Sequence, residues 1–133
     1  MKAIDANVIL RYLTNDVPSQ AAQAEELFKK LESGSEDVWL PDIILADIIW
    51  ILEGYYKQPR GKIQDWITTI LSLPGMNFSN KTIALTALDI YVTKNIDWSD
   101  AFTASQLVDR GIVEIYSFDR HFDRIPVLTR SEP

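Results

Sequence analysis

The sequence predicts an α/β fold of the three-layer α/β/α kind, with helices on both faces of a central, mostly parallel sheet. Short β-prone stretches alternate with helix-length segments along the whole chain, the order expected of βα units. Gly34, Pro41, Pro59–Gly61, Pro74–Gly75 and Gly111 fall between the segments, as chain breaks should. The length of 133 residues suits one domain, 1–133, able to bury roughly two thirds of its surface on folding.

The elements follow in order. Lys2 to Asp5 reads as a short strand leading into an apolar stretch, Val8 to Leu13. Ser19 is an N-cap candidate for a helix through about Glu32, broken by Gly34 and Ser35. Val38 to Leu40 is a second strand, and Pro41–Asp42 opens a helix to about Tyr56. A turn at Pro59–Gly61 precedes a helix from Lys62 to about Leu73, ended by Pro74–Gly75. Asn77 to Ser79 is a further strand, and Asn80 can cap a helix through about Lys94. Asp97 or Ser99 can cap the next helix, which stops before Gly111. Val113 to Phe118 is the clearest strand, and Val127 to Thr129 a short last one.

Composition narrows the function. Hydrophobic residues make up 47% and charged residues 24%, ordinary for a globular domain. With no cysteine, disulfides and thiolate metal sites are excluded, and a reducing cytoplasm is the expected compartment. The opening MKAIDANVILRYLTND does not read as a signal peptide. The longest apolar run, Ile43 to Leu52, is broken by Asp47 and too short for a bilayer, so no membrane partner is expected. The net charge of −6 argues against a nucleic-acid partner, unless several acids belong to one metal-filled pocket.

In parallel sheets, sites lie beyond the carboxyl ends of the strands. Asp5 and Asp119 both stand at such ends, although aspartate is also a common turn or cap residue. Asp47 sits among nine apolar residues in IILADIIWIL and shares a helical face with Ile43, Ile44, Ile48 and Ile51. The opposite side is apolar too, so the helix reads as buried, and a buried carboxylate calls for a salt bridge or a metal. Asp97 and Asp100, in NIDWSDAF, suit a helix start, where acids favour the macrodipole. Four converging carboxylates would repel strongly, since two unit charges about 4 Å apart cost about 4 kcal/mol at an effective dielectric of 20. Cations would relieve this, and an all-oxygen set selects Mg²⁺ or Mn²⁺ over Zn²⁺. The single histidine, His121, cannot make a histidine-rich zinc site and reads as a surface residue.

Four segments stand in register: Asp5-Ala6-Asn7-Val8 with Arg11, LADIIWILEGYY, Ile96-Asp97-Trp98-Ser99-Asp100-Ala101, and Ser117-Phe118-Asp119-Arg120-His121-Phe122 followed by Arg124-Ile125. Together they resemble VapC-type PIN-domain ribonucleases, toxins of toxin–antitoxin pairs. The resemblance covers nearly the whole chain. It implies a PIN-like fold and metal-dependent hydrolysis of RNA phosphodiesters to 5′-phosphate and 3′-hydroxyl ends. It assigns catalysis to Asp5, Asp47, Asp100 and Asp119, with Asp5, Asp100 and Asp119 as the metal ligands. Asn7, Asp97 and Ser117 would support them. It further implies an RNA substrate, a cognate antitoxin and a homodimer. The family generally has glutamate where this chain has Asp47, which is shorter by about 1.5 Å, and commonly threonine where it has Ser117. Arg11 and Arg120 are the first candidates for RNA contacts, with Arg60, Lys62 and Arg124 behind them.

Two rivals belong to other classes. A PIN-like module that no longer cuts could act through partner or RNA binding, the shortened Asp47 being its motive. A haloacid-dehalogenase-type phosphatase would want an acid two residues after Asp5, where this chain has Asn7.

Overall fold

In the computed structural model, which describes residues 1–133, the chain forms two compact units, residues 1–79 and 80–133. Each carries its own parallel sheet.

The first unit contains β1 (Lys2–Ala3), α1 (Ala6–Thr14), α2 (Pro18–Ser33), β2 (Val38–Trp39), α3 (Asp42–Gly54), α4 (Arg60–Leu71) and β3 (Met76–Asn77). Its strand order is β1-β2-β3, with Val38 opposite both Lys2 and Met76. The ladder runs past the strand ends through Ile4 N–H to Trp39 C=O at 2.9 Å and Leu40 N–H to Asn77 C=O at 2.8 Å. The three strands are parallel, so α1 and α3, which follow β1 and β2, start from one edge of this sheet. The buried residues Ile9, Leu10, Leu45, Ile48, Ile49 and Leu52 form the inward faces of those two helices.

Two expectations change here. Helix α2 is opened by Val17 as N-cap with Pro18 at its first position, not by Ser19. Proline lacks an N–H where none is needed and holds the helical φ, so it suits that place. Helix α3 is not buried all round. Ile43 is 68% exposed and Trp50 76% exposed, and Asp47 lies between them on the same outward stripe at i, i+4 and i+7. Apolar composition hid this face, and Asp47 is an exposed charge, not a buried one.

The second unit contains α5 (Lys81–Thr93), α6 (Trp98–Asp109), β4 (Glu114–Tyr116), a 3₁₀ turn (Arg120–Arg124) and β5 (Thr129–Ser131). Asn80 caps α5 as expected, its side chain accepting from Ile83 N–H at 3.0 Å. Buried Ser105 on α6 donates to the Ile83 carbonyl at 2.9 Å, tying α6 to α5. Strands β4 and β5 pair in parallel with Ile115 opposite Arg130. The last strand thus lies two residues later than Val127–Thr129. Beneath them Ile96, Ala104, Phe122, Ile125 and Leu128 form a small core.

One glycine is required by close approach. Gly75 is buried, donates to the Leu31 carbonyl at 2.9 Å and accepts from Val38 N–H at 2.8 Å. A Cβ there would run into the Glu36 carbonyl oxygen and stand 2.9 Å from Leu31 Cα. These are backbone atoms and cannot swing aside. Gly75→Ala is expected to destabilise the protein by about 3 kcal/mol. Gly34→Ala, at a left-handed helix end with open space around it, should cost only about 1 kcal/mol. Urea denaturation of both variants checks the difference.

Candidate metal centre

The second unit brings two of the expected acids together. Asp100 lies in the first turn of α6, three residues after its N-cap Asp97. Asp119 stands past the end of β4 and caps the 3₁₀ turn, its Oδ1 accepting from His121 N–H at 2.9 Å. One ligand atom from each of Asp100, Asp119 and His121 lies within 4.8 Å of the others. His121 Nδ1 is 3.3 Å from Asp119 Oδ1. From the sequence His121 reads as a surface residue. It is exposed, yet its place in a 3₁₀ turn folds its ring back over Asp119, and only the turn reveals this.

Electrostatics follow from the geometry. Burial raises the Asp100 pKa above the ordinary carboxylate value, and the charges of Asp119 and Asp97 push it further up while His121 opposes them. Asp97 therefore acts on Asp100 through space. It occupies the N-cap position but makes no side-chain capping bond. Ser117 supports Asp119 from the backbone side, its Oγ accepting Asp119 N–H at 2.9 Å. The set fits a divalent cation: two carboxylate oxygens already crowd each other, and an ion between them would reverse that repulsion. Hard oxygens suit Mg²⁺ or Mn²⁺, and the imidazole nitrogen is more congenial to Mn²⁺.

A PIN domain model matches residues 2–128 of the chain. The chain belongs to the PIN-domain family. It is also similar to a VapC ribonuclease of Aquifex aeolicus (strain VF5), 26% identical over 125 residues, which cover 94% of this chain and 92% of that protein.

The remaining positions of this PIN domain are placed as follows. In the first unit Asp5 is the N-cap residue of α1, exposed and without a side-chain capping bond, and Asn7, also exposed, follows two residues later. Asp47 lies in the second turn of α3 on its exposed stripe. Of the basic candidates, Arg11 is taken up internally: its Nε donates to Gln20 at 2.9 Å and its Nη1 to Asp16 at 3.3 Å. Asp16 in turn accepts from Tyr56 Oη at 2.6 Å, so Arg11 belongs to a network joining the end of α1 to the end of α3. Arg60 pairs with Glu53, Lys62 lies over Trp66, and Arg124 binds the Lys94 and Asn95 carbonyls. Arg120 is exposed, one residue from Asp119, and no bond within the chain engages it.

The raised Asp100 pKa gives a stability test. A carboxyl whose folded pKa is raised favours the native state at low pH and opposes it once the group must ionise. In the presence of a chelator, Asp100→Asn should therefore raise the melting temperature at neutral pH. The advantage should shrink as the pH falls into the carboxylate range, where Asp100 takes up its proton. Thermal melts across that range measure it.

Proposed function

We propose that this chain is a metal-dependent endoribonuclease, the toxin of a toxin–antitoxin pair. The observation that carries the reading is the close grouping of Asp100, Asp119 and His121 in a chain of the PIN-domain family. Similarity to a VapC ribonuclease supports RNA as the substrate. The same similarity supports an antitoxin protein as partner, to which we add a homodimer as assembly and the cytoplasm as compartment. The absence of cysteine agrees with a reducing compartment. No helix is long and apolar enough to cross a membrane.

In this reading Asp100 and Asp119 hold Mg²⁺ or Mn²⁺, and the roles of further ligand for Asp5 and fourth acid for Asp47 come from the family resemblance alone. The ion supplies two things when bound: a lowered pKa for a nearby water, and positive charge against the phosphate. The protein's own residues do the rest. Asp119 is fixed by Ser117 and by His121 N–H. Arg120, unpaired beside it, is available to a phosphate oxygen. Tyr116 and Phe118 are largely exposed on the chain leading to Asp119 and offer rings on which unpaired bases can stack. Asp100 and Asp119 are two of the 19 acids behind the net charge of −6, and an ion bound between them would offset their charge where the RNA docks.

Cleavage of single-stranded RNA by the purified protein should stop in EDTA and return with Mn²⁺. Asp119→Asn should lower the rate by about 100-fold or more, the loss of several kcal/mol of transition-state stabilisation. Cleavage that persists in EDTA would refute the reading. An intact protein that binds RNA but never cuts it would favour a PIN module that acts by binding.

Asp47 gives a second test. On an exposed stripe there is room for one more methylene, so Asp47→Glu should leave the melting temperature nearly unchanged. If Asp47 serves the metal as its family counterpart does, the longer acid should raise activity at limiting Mg²⁺ or keep it level, while Asp47→Ala lowers it. Rates measured against Mg²⁺ concentration decide between a ligand and an ordinary surface acid.

A further inference from the structure

The segment that carries Asp119 and His121 begins at Ser117 and ends at Asp123, and one side chain from another strand grips both ends. Arg130, on β5, donates from Nη1 to the Ser117 carbonyl at 3.0 Å. It also donates from Nε to Asp123 Oδ1 at 3.0 Å and from Nη2 to Asp123 Oδ2 at 3.3 Å. A weaker contact of 3.4 Å joins Nη1 to Glu132. The Arg130 side chain is only 13% exposed, so the guanidinium is held within the fold although its partner Asp123 faces solvent.

The strand pairing explains why an arginine at this place can reach both ends. Ile115 lies opposite Arg130, and the ladder continues through Ser117 N–H to the Ser131 carbonyl at 3.1 Å. The backbone of β5 thus fixes Ser117 from one side while the Arg130 side chain fixes its carbonyl from the other. Between the two gripped points the chain is held by two short local bonds. Asp119 N–H donates to Ser117 Oγ, and His121 N–H donates to Asp119 Oδ1. The second of these aims the carboxylate that belongs to the candidate metal centre. A guanidinium is suited to the task because its rigid fork bonds a carboxylate with two N–H groups and still has N–H groups to spare.

We infer that Arg130 is a positioning residue for the metal centre: it closes residues 117–123 into a fixed loop and so sets the placement of Asp119 and His121. Arg130 is not one of the grouped ligand residues. Its effect reaches the site through the Ser117 carbonyl and the Asp123 carboxylate. Groups that orient a metal ligand from behind typically change metal affinity by 10–100-fold when removed.

The inference rests on the proposed metal-dependent activity, but half of its test does not. In ion-free protein, Arg130→Gln should speed hydrogen exchange at the Asp119 and His121 amides by about tenfold or more while α5 amides change little. With Mn²⁺ alone as the probe, titration calorimetry should show affinity weakened by about 10-fold or more. Arg130→Lys, which can reach one anchor but not both, should fall between Arg130→Gln and the native protein on both measurements. Asp123→Asn, at an exposed position, gives a milder break of the same clamp should Arg130→Gln fail to fold. It should loosen the same two amides.

The outcomes separate cleanly. Exchange that rises evenly through the second unit, or not at all, overturns the positioning role and makes Arg130 an ordinary structural contact. Selective loosening with unchanged Mn²⁺ affinity also overturns it, since the loop would then not govern the ligands. If the native protein binds no Mn²⁺, the metal reading of the function fails, while the exchange result still shows whether the clamp holds the loop.

Discussion

The candidate centre exists because Asp100 and Asp119 are kept within reach of each other against their mutual repulsion. While both carboxyl groups are charged, nothing in the two side chains favours that closeness without an ion. It is imposed by the backbone. Asp100 is carried by a helix whose buried Ala101, Ala104 and Ser105 anchor it to the core and to α5. Asp119 is carried by a turn whose buried Phe122 and Ile125 are part of that same core. Apolar burial and backbone hydrogen bonds thus hold a charged arrangement that would relax if its supports were mobile. A site of this kind stores in the apo protein the attraction it later shows for a cation.

The first unit follows a different logic. Its short parallel strands fix where α1 and α3 begin, so Asp5 starts a helix at one sheet edge and Asp47 lies in the second turn of a helix from that same edge. The Arg11–Asp16–Tyr56 network then joins the far ends of these helices. Burial raises the Tyr56 pKa and its bond to Asp16 reinforces this, while that bond pulls the Asp16 pKa down. The two opposite shifts describe one hydrogen bond in which the phenol keeps its proton. Arg11 is thereby committed to the fold, leaving Arg120 the better placed of the two cations first considered for RNA.

Much of this was legible from the residues, and the rest was not for definite reasons. Alternating strands and helices announced the α/β class because turn residues and apolar periods are local properties. Asn80 was readable as a cap because its side chain bonds only three residues ahead. Asp5, Asp100 and Asp119 could be placed at element ends, but whether each was cap or ligand could not be read: Asp119 caps a turn and belongs to the candidate metal group at once. Asp47 misled because an almost uniformly apolar helix gives no contrast by which to tell its inner face from its outer. The placements of His121 and Arg130 were invisible, since the first depends on a local 3₁₀ turn and the second on a strand pairing that brings distant backbone together.

Arg130 also bears on where the working unit ends. The family match stops at residue 128, and a boundary drawn there keeps all of Asp5, Asp47, Asp100, Asp119 and His121. It discards Thr129–Ser131, and with them β5 and the side chain that grips Ser117 and Asp123. A chain shortened to that boundary would contain a full complement of acids and yet lack the partner strand of β4. Judging such a fragment inert would say little about the chemistry of the whole, because the part removed is architecture and not reagent.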